Sequence, residues 1–138
     1  MNYGIREHGK SSSLKKIFNI LATKYPTQVN LIKNDGDILA TVVVNGIMVG
    51  VETQGDPNSR MFTTLEDLVN FGCQIIVCAS RTNGATCDEV IRISNMLSAD
   101  LVWTTNPRTS NETIRDFLNH SYAESIVNLI ENRINETY

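Results

Sequence analysis

Apolar residues recur at i, i+3, i+4 and i+7 from Leu14 through Ile17 and Phe18 to Leu21, the spacing of an amphipathic helix. Ser11-Ser12-Ser13 leads into this helix and Tyr25-Pro26 ends it, because the residue before a proline is pushed out of the α region. Val29 to Lys33 reads as a short strand, and Asn34-Asp35-Gly36-Asp37 as a turn. Two runs rich in β-branched residues follow, Ile38 to Val44 and Ile47 to Val51, separated only by Asn45-Gly46. Asn-Gly supplies the positive φ angles of a type I′ turn, so the two runs predict an antiparallel hairpin.

The second half alternates in the same way. Thr63-Thr64-Leu65-Glu66 has the form of a capping box opening a short helix to Val69 or Asn70, with Gly72 as its stop. Cys73 to Ala79 is a near-continuous apolar run, as a strand buried on both faces requires. Thr86-Cys87-Asp88-Glu89 is a second capping box, for a helix to about Leu97. Leu101 to Thr105 predicts a short strand, and the chain from about Asn111 a helix interrupted near Asn119-His120-Ser121. Leu118, Tyr122, Ile126, Leu129, Ile130 and Ile134 form the expected apolar stripe of that helix. Strands alternating with helices in 138 residues predict one α/β domain over the whole chain.

Gly4-Ile5-Arg6-Glu7-His8-Gly9-Lys10-Ser11 fits the pattern G-x-x-x-x-G-K-[ST] without a mismatch. Two glycines let the backbone curl so that its N–H groups face a phosphate chain. Here the chain resembles the P-loop NTPase superfamily. The resemblance implies a three-layer α/β sandwich with a mostly parallel sheet and an antiparallel hairpin. It also implies ATP or GTP held with Mg²⁺ by Gly4, His8 (a spacer within the loop), Gly9, Lys10, Ser11 and Ser12. Lys10 would reach the β and γ phosphates as a catalytic residue, and Ser11 would ligate the metal. A strand should precede the loop, and Met1-Asn2-Tyr3 are fewer than the five or six residues a strand usually has. The loop's strand is therefore expected to be truncated or supplied from elsewhere.

A P-loop enzyme also needs an acid at the end of a neighbouring strand to hold Mg²⁺. Glu52-Thr53-Gln54-Gly55-Asp56-Pro57 closes the second hairpin strand. Glu52 is the metal candidate, with Asp56 as competitor. Gln54 or Asp56 would position the nucleophile. Arg81, between the buried strand and the next helix, would offset phosphate charge. From residue 4 to 57 the order of loop, helix, hairpin and Glu-x-x-Gly resembles the small GTPases, with Glu52 in place of their aspartate. Their guanine-reading Asn-Lys-x-Asp motif has no counterpart, since Thr104-Thr105-Asn106-Pro107-Arg108 does not match it. ATP is therefore as suitable as GTP.

Charge agrees with an anionic ligand. Residues 1 to 33 hold six basic side chains and one acid, while the whole chain is at −3, so positive charge gathers near the glycine pattern. No basic run interleaved with aromatics appears, and nucleic acid is not an expected partner. No segment suits a membrane span or a signal peptide, which predicts a cytoplasmic protein. Cys73, Cys78 and Cys87 lack metal or disulfide spacing and are expected as reduced thiols. The three Asn-x-Ser/Thr triplets, at Asn111, Asn119 and Asn135, are read as chance occurrences. His8 and His120 have no paired carboxylate or metal spacing nearby. Two functions follow from these residues. One is an NTP hydrolase or small-molecule kinase. The other is a non-catalytic nucleotide-binding or regulatory module that forms a homodimer or takes its missing strand from a partner.

Overall fold

The structure, a computed structural model, describes residues 2–3, 10–54, 60–80, 84–105 and 107–137. The elements run β1 (Asn2–Tyr3), α1 (Lys10–Lys24), β2 (Val29–Asn34), β3 (Ile38–Val44), β4 (Ile47–Glu52), α2 (Met61–Phe71), β5 (Ile75–Ser80), α3 (Ala85–Leu97), β6 (Thr104–Thr105) and α4 (Glu112–Thr137). The strands form one sheet in the order β2-β3-β4-β5-β1-β6. Four strands of six or seven residues make its body, and β1 and β6 add two residues each.

The hairpin forms as its turn chemistry dictates. Asn45 and Gly46 take φ of 50° and 85°, and β3 pairs with β4 from Val44↔Ile47 to Leu39↔Glu52. β2 adds to the hairpin antiparallel, with an irregularity between Leu31 and Lys33. β4, β5, β1 and β6 then run parallel. The sheet is thus mixed rather than mostly parallel, and its longest ladders are the antiparallel ones. β2 lies at the outer edge with most of its side chains exposed, and Lys33 on it discourages further strand pairing.

Helices cover both faces. Leu14, Ile17 and Leu21 of α1 and Val127, Ile130 and Ile134 of α4 pack on Ala40, Val42, Val49, Val51 and Val77. On the other face Met61, Leu65 and Leu68 of α2 and Val90 and Ile93 of α3 pack with Leu39 and Cys78. The alternation of β4 explains the division. Val49 and Val51 face α1 and α4, whereas Met48 faces α2 and α3. Gly50 also faces α2: a Cβ built on it would lie 3.0 Å from Cys73 Sγ and 3.0 Å from Leu68 Cδ1. Only a residue without a side chain lets α2 approach this closely.

Several local expectations are corrected. Neither capping box forms. α2 starts at Met61 after an Arg60 N-cap of helical backbone without a side-chain cap, so Thr63 and Thr64 lie inside the helix. α3 starts after Gly84, likewise without a side-chain cap, so Thr86 lies inside the first turn. Gly72 does stop α2, at φ 102°, with the Gly72 and Cys73 amides returning to Val69 and Leu68. α4 is continuous through Asn119-His120-Ser121. Asn119 is buried there and accepts a 3.4 Å hydrogen bond from Ser13 of α1, so packing against α1 overrides the weak local propensity. Leu129 is 46% exposed, and Ala123 and Val127 fill the stripe instead. The predicted strand over Leu101 to Thr105 pairs only at Thr104–Thr105. No described helix is long and apolar enough to cross a membrane.

Candidate functional site

The parallel strands end together. Glu52 of β4 is opposite Cys78 of β5, Tyr3 of β1 is opposite Ser80, and Thr105 of β6 is opposite Tyr3. α1, α2 and α3 each begin shortly after one of these ends, at Lys10, Met61 and Ala85. Three helix N-termini thus open on the carboxyl edge of the sheet, where open α/β sheets hold ligands.

At this edge Glu52 is the most heavily engaged side chain. It is fully buried, yet it carries a complete set of donors. Oε1 accepts from the Gln54 amide at 3.1 Å and from Arg60 Nη2 at 3.4 Å. Oε2 accepts from Arg60 Nε at 3.2 Å and from the Thr64 hydroxyl. Arg60 extends beyond Glu52, and its Nη1 donates to both oxygens of Asp35, at 2.8 and 2.9 Å. Its main-chain N–H donates to Gln54 Oε1 at 3.1 Å. One guanidinium therefore joins the β2–β3 turn, the end of β4 and the start of α2. Desolvation opposes the Arg60 charge, but the bonds to Asp35 and Glu52 outweigh it and raise the arginine pKa. The same contact holds the Asp35 carboxyl below its ordinary value.

Next to this cluster the Thr53 hydroxyl donates to Asp37 Oδ1 at 2.8 Å and accepts from the Ile38 amide at 2.9 Å. These bonds fix the start of β3 against the end of β4. On β5, Ser80 Oγ lies 3.5 Å from Thr86 Oγ1, and both are buried.

The residues singled out from sequence divide as follows. Glu52 and Gln54 lie together, within the Arg60 cluster. The backbone of Lys10 and Ser11 forms the first turn of α1, and Ser12 follows, exposed. Gly4, His8 and Gly9 of the glycine pattern, Asp56 and Arg81 lie outside the described residues. His120 sits on the exposed surface of α4, 3.1 Å from Glu124. Arg60, Asp35 and Thr64 were not singled out, because no periodicity marks an arginine whose partners lie 8 and 25 positions away.

The arrangement bears on a metal. A carboxylate offers about four lone-pair positions, and Arg60, Thr64 and the Gln54 amide occupy four on Glu52. Glu52 in this geometry does not fit as a magnesium ligand. The described residues contain no cluster of three or more His, Cys, Asp or Glu side chains suited to a metal. Cys73 and Cys78 are buried thiols, their pKa values pushed up by burial to about 11 and about 12, which makes them poor nucleophiles and metal ligands.

No protein-family profile, no curated protein and no solved structure matches this chain.

Proposed function

We propose that this chain binds the phosphates of a nucleoside triphosphate at the carboxyl edge of its parallel strands, as a P-loop-like protein of three α/β/α layers. One observation carries the reading. α1 begins at Lys10, the lysine of the glycine pattern, and β1 ends at Tyr3, the residue before that pattern starts. A strand, then the glycine pattern of the sequence, then a helix follow one another along the chain, the order of a phosphate cradle, and this supports the reading. β1 is short but sits inside the sheet, between β5 and β6, as a strand leading to such a loop should.

In this reading loop amides and the first turn of α1 bind phosphate oxygens, and Lys10 adds a positive charge. Magnesium would neutralise phosphate charge if bound, and Ser11 is the residue for it. Glu52 is not assigned to the metal, because its oxygens are bonded to Arg60, Thr64 and Gln54. Gln54 is not assigned to water positioning, because its carbonyl oxygen is bonded to the Arg60 amide. These engagements favour a nucleotide-binding module over an efficient hydrolase or kinase. β5 also separates β4 from β1, so the acid is not on the strand next to the loop, a departure from the expected arrangement.

Equilibrium binding of fluorescent ATP and GTP analogues, with and without Mg²⁺, tests the reading. Saturable binding that weakens at least about tenfold in Lys10→Ala, a loss of about 1.4 kcal/mol, is expected. Equal binding by Lys10→Ala, or none by the native chain, would overturn it. Phosphate release in the same samples separates the binding module from the enzyme.

A further inference from the structure

Arg60 has two faces of unequal strength. Nε and Nη2 bond the two oxygens of Glu52, which has no exposed surface. Nη1 bonds Asp35, whose side chain is 61% exposed. An ion pair with an exposed partner contributes little, so the outer contact can be lost while the inner one stays. Two carboxylates share this guanidinium, and the group as a whole is therefore anionic although an arginine stands at its centre.

The place of this group gives its charge a consequence. Asp35 belongs to the β2–β3 turn, and the next carbonyl, of Gly36, accepts from Lys15 Nζ. Lys15 stands on α1 five residues beyond Lys10, about 7.5 Å along the helix. The turn thus lies within reach of one lysine side chain from the helix that starts at the glycine pattern. It lies at the carboxyl edge as well, because Ile38 at the start of β3 and Thr53 at the end of β4 bond each other there. An anionic group on this edge repels a polyanion. Asp35 also occupies an outward donor of Arg60, of the kind that phosphate oxygens accept from.

The turn does not depend on Asp35 to keep its place. The Thr53 hydroxyl donates to Asp37 Oδ1 at 2.8 Å and accepts from the Ile38 amide, and Lys15 holds Gly36. Asp35 can leave Arg60 with the turn still anchored.

We propose that Asp35 makes an autoinhibitory contact: its carboxylate occupies Nη1 of Arg60 in place of a phosphate oxygen, and a triphosphate bound at this edge displaces it. The inference rests on the nucleotide reading and adds a regulation to it. Nε and Nη2 stay on Glu52 throughout, so β4 and α2 remain joined while Nη1 changes partner. Neutralising Asp35 therefore strengthens binding, which a merely structural residue would not do.

The test compares Asp35→Asn with Asp100→Asn in the full chain. Asp100 is likewise an exposed aspartate bonded to an arginine, Arg133, at 2.8 Å. It precedes β6, whose carboxyl end is Thr105, and so lies toward the other edge of the sheet. Both variants remove the same charge. Asp35→Asn is expected to bind a fluorescent ATP analogue about threefold tighter than the native chain, the span of one exposed ion pair. Asp100→Asn is expected to bind as the native chain does. In NMR titrations with inorganic tripolyphosphate, the Arg60 Nε–H signal should move at lower concentration in Asp35→Asn than in the native chain. Suppose Lys10→Ala weakens binding but Asp35→Asn equals the native chain or binds more weakly. The inhibitory contact is then overturned and the nucleotide reading stands. Equal tightening by both asparagine variants would reduce the effect to net charge and overturn it too. An Arg60 signal in Asp35→Asn that tripolyphosphate leaves unmoved would overturn the contact whatever Lys10→Ala shows.

Discussion

Arg60 Nε lies 3.2 Å from Oε2 of Glu52, a carboxylate with no exposed surface, while the far end of the same guanidinium grips Asp35 in the solvent. The pair is therefore buried at one end and wet at the other, and its two halves differ in weight.

Removing the buried half leaves a carboxylate without its counter-charge, which costs about 3–5 kcal/mol in comparable cases. Arg60→Ala is expected to lower the unfolding free energy by about 3 kcal/mol, read from urea denaturation. Adding Glu52→Gln to Arg60→Ala should recover part of that loss, because the uncompensated charge disappears. A double variant less stable than Arg60→Ala alone would refute this account of the pair. Asp35→Ala, at the exposed end, should change stability far less.

Close approach rather than backbone geometry fixes Gly50. Its φ is not positive, but a Cβ would stand 3.0 Å from Cys73 Sγ and from Leu68 Cδ1. Gly50→Ala is expected to destabilise by about 1–3 kcal/mol through overpacking. Gly50→Ala combined with Leu68→Ala makes room for the methyl group, so the pair should cost less than the sum of the singles in a double-mutant cycle.

Two helix ends offer opposite outcomes. Gly72 and Ser98 both cap their helices in the left-handed region, at φ 102° and 49°. A side chain is strained there by roughly 1–2 kcal/mol. Gly72→Ala should therefore lower the thermal midpoint and Ser98→Gly should raise it, each by a few degrees. Shifts of the same sign in both variants would contradict the assignment.

The contact between α1 and α4 gives a pH signature. Glu131 bonds Lys24 at 2.8 Å and accepts from the Tyr25 hydroxyl. The hydrogen bond to Glu131, with burial, pushes the Tyr25 pKa from 10 to about 12. A phenol that holds its proton more tightly when folded stabilises fully below pH 10 and loses that contribution as pH rises toward about 12. Lys24 first, and Tyr25 second, hold the Glu131 carboxyl below 4.5, so its contribution is present above that value and fades as pH falls through the folded pKa. Urea midpoints measured across pH should decline at both ends. Tyr25→Phe should flatten the alkaline decline, and an unchanged slope would count against this contact.

Much of the architecture is legible in the chain because it is written locally. Asn45-Gly46 between β-branched runs specifies the hairpin, and Gly72 marks the end of α2. What is not legible depends on neighbours. Thr63 and Thr86 carry cap chemistry, yet α2 and α3 start one or two residues earlier, because Arg60 and Gly84 already turn the chain. Leu101–Trp103 has strand composition, but β6 as formed is Thr104–Thr105, set by its pairing with Asn2–Tyr3. Glu52 could be marked as a site acid from its place at a strand end. That an arginine eight residues later would occupy it could not, since ion pairs carry no period. Lys10 and Ser11 of the glycine pattern fall in the first turn of α1.

The position of β1 sets the order in which the molecule can be completed. Asn2 and Tyr3 precede every other described element along the chain, yet their seat is walled by Ala79–Ser80 on one side and Thr104–Thr105 on the other. β1 gains both of its neighbours only once residue 105 has been made, while the hairpin and α2 can settle in advance. Docking of the amino end is thus a late, long-range step. Seating of β1 between β5 and β6 would report that the sheet has closed as far as its last strand.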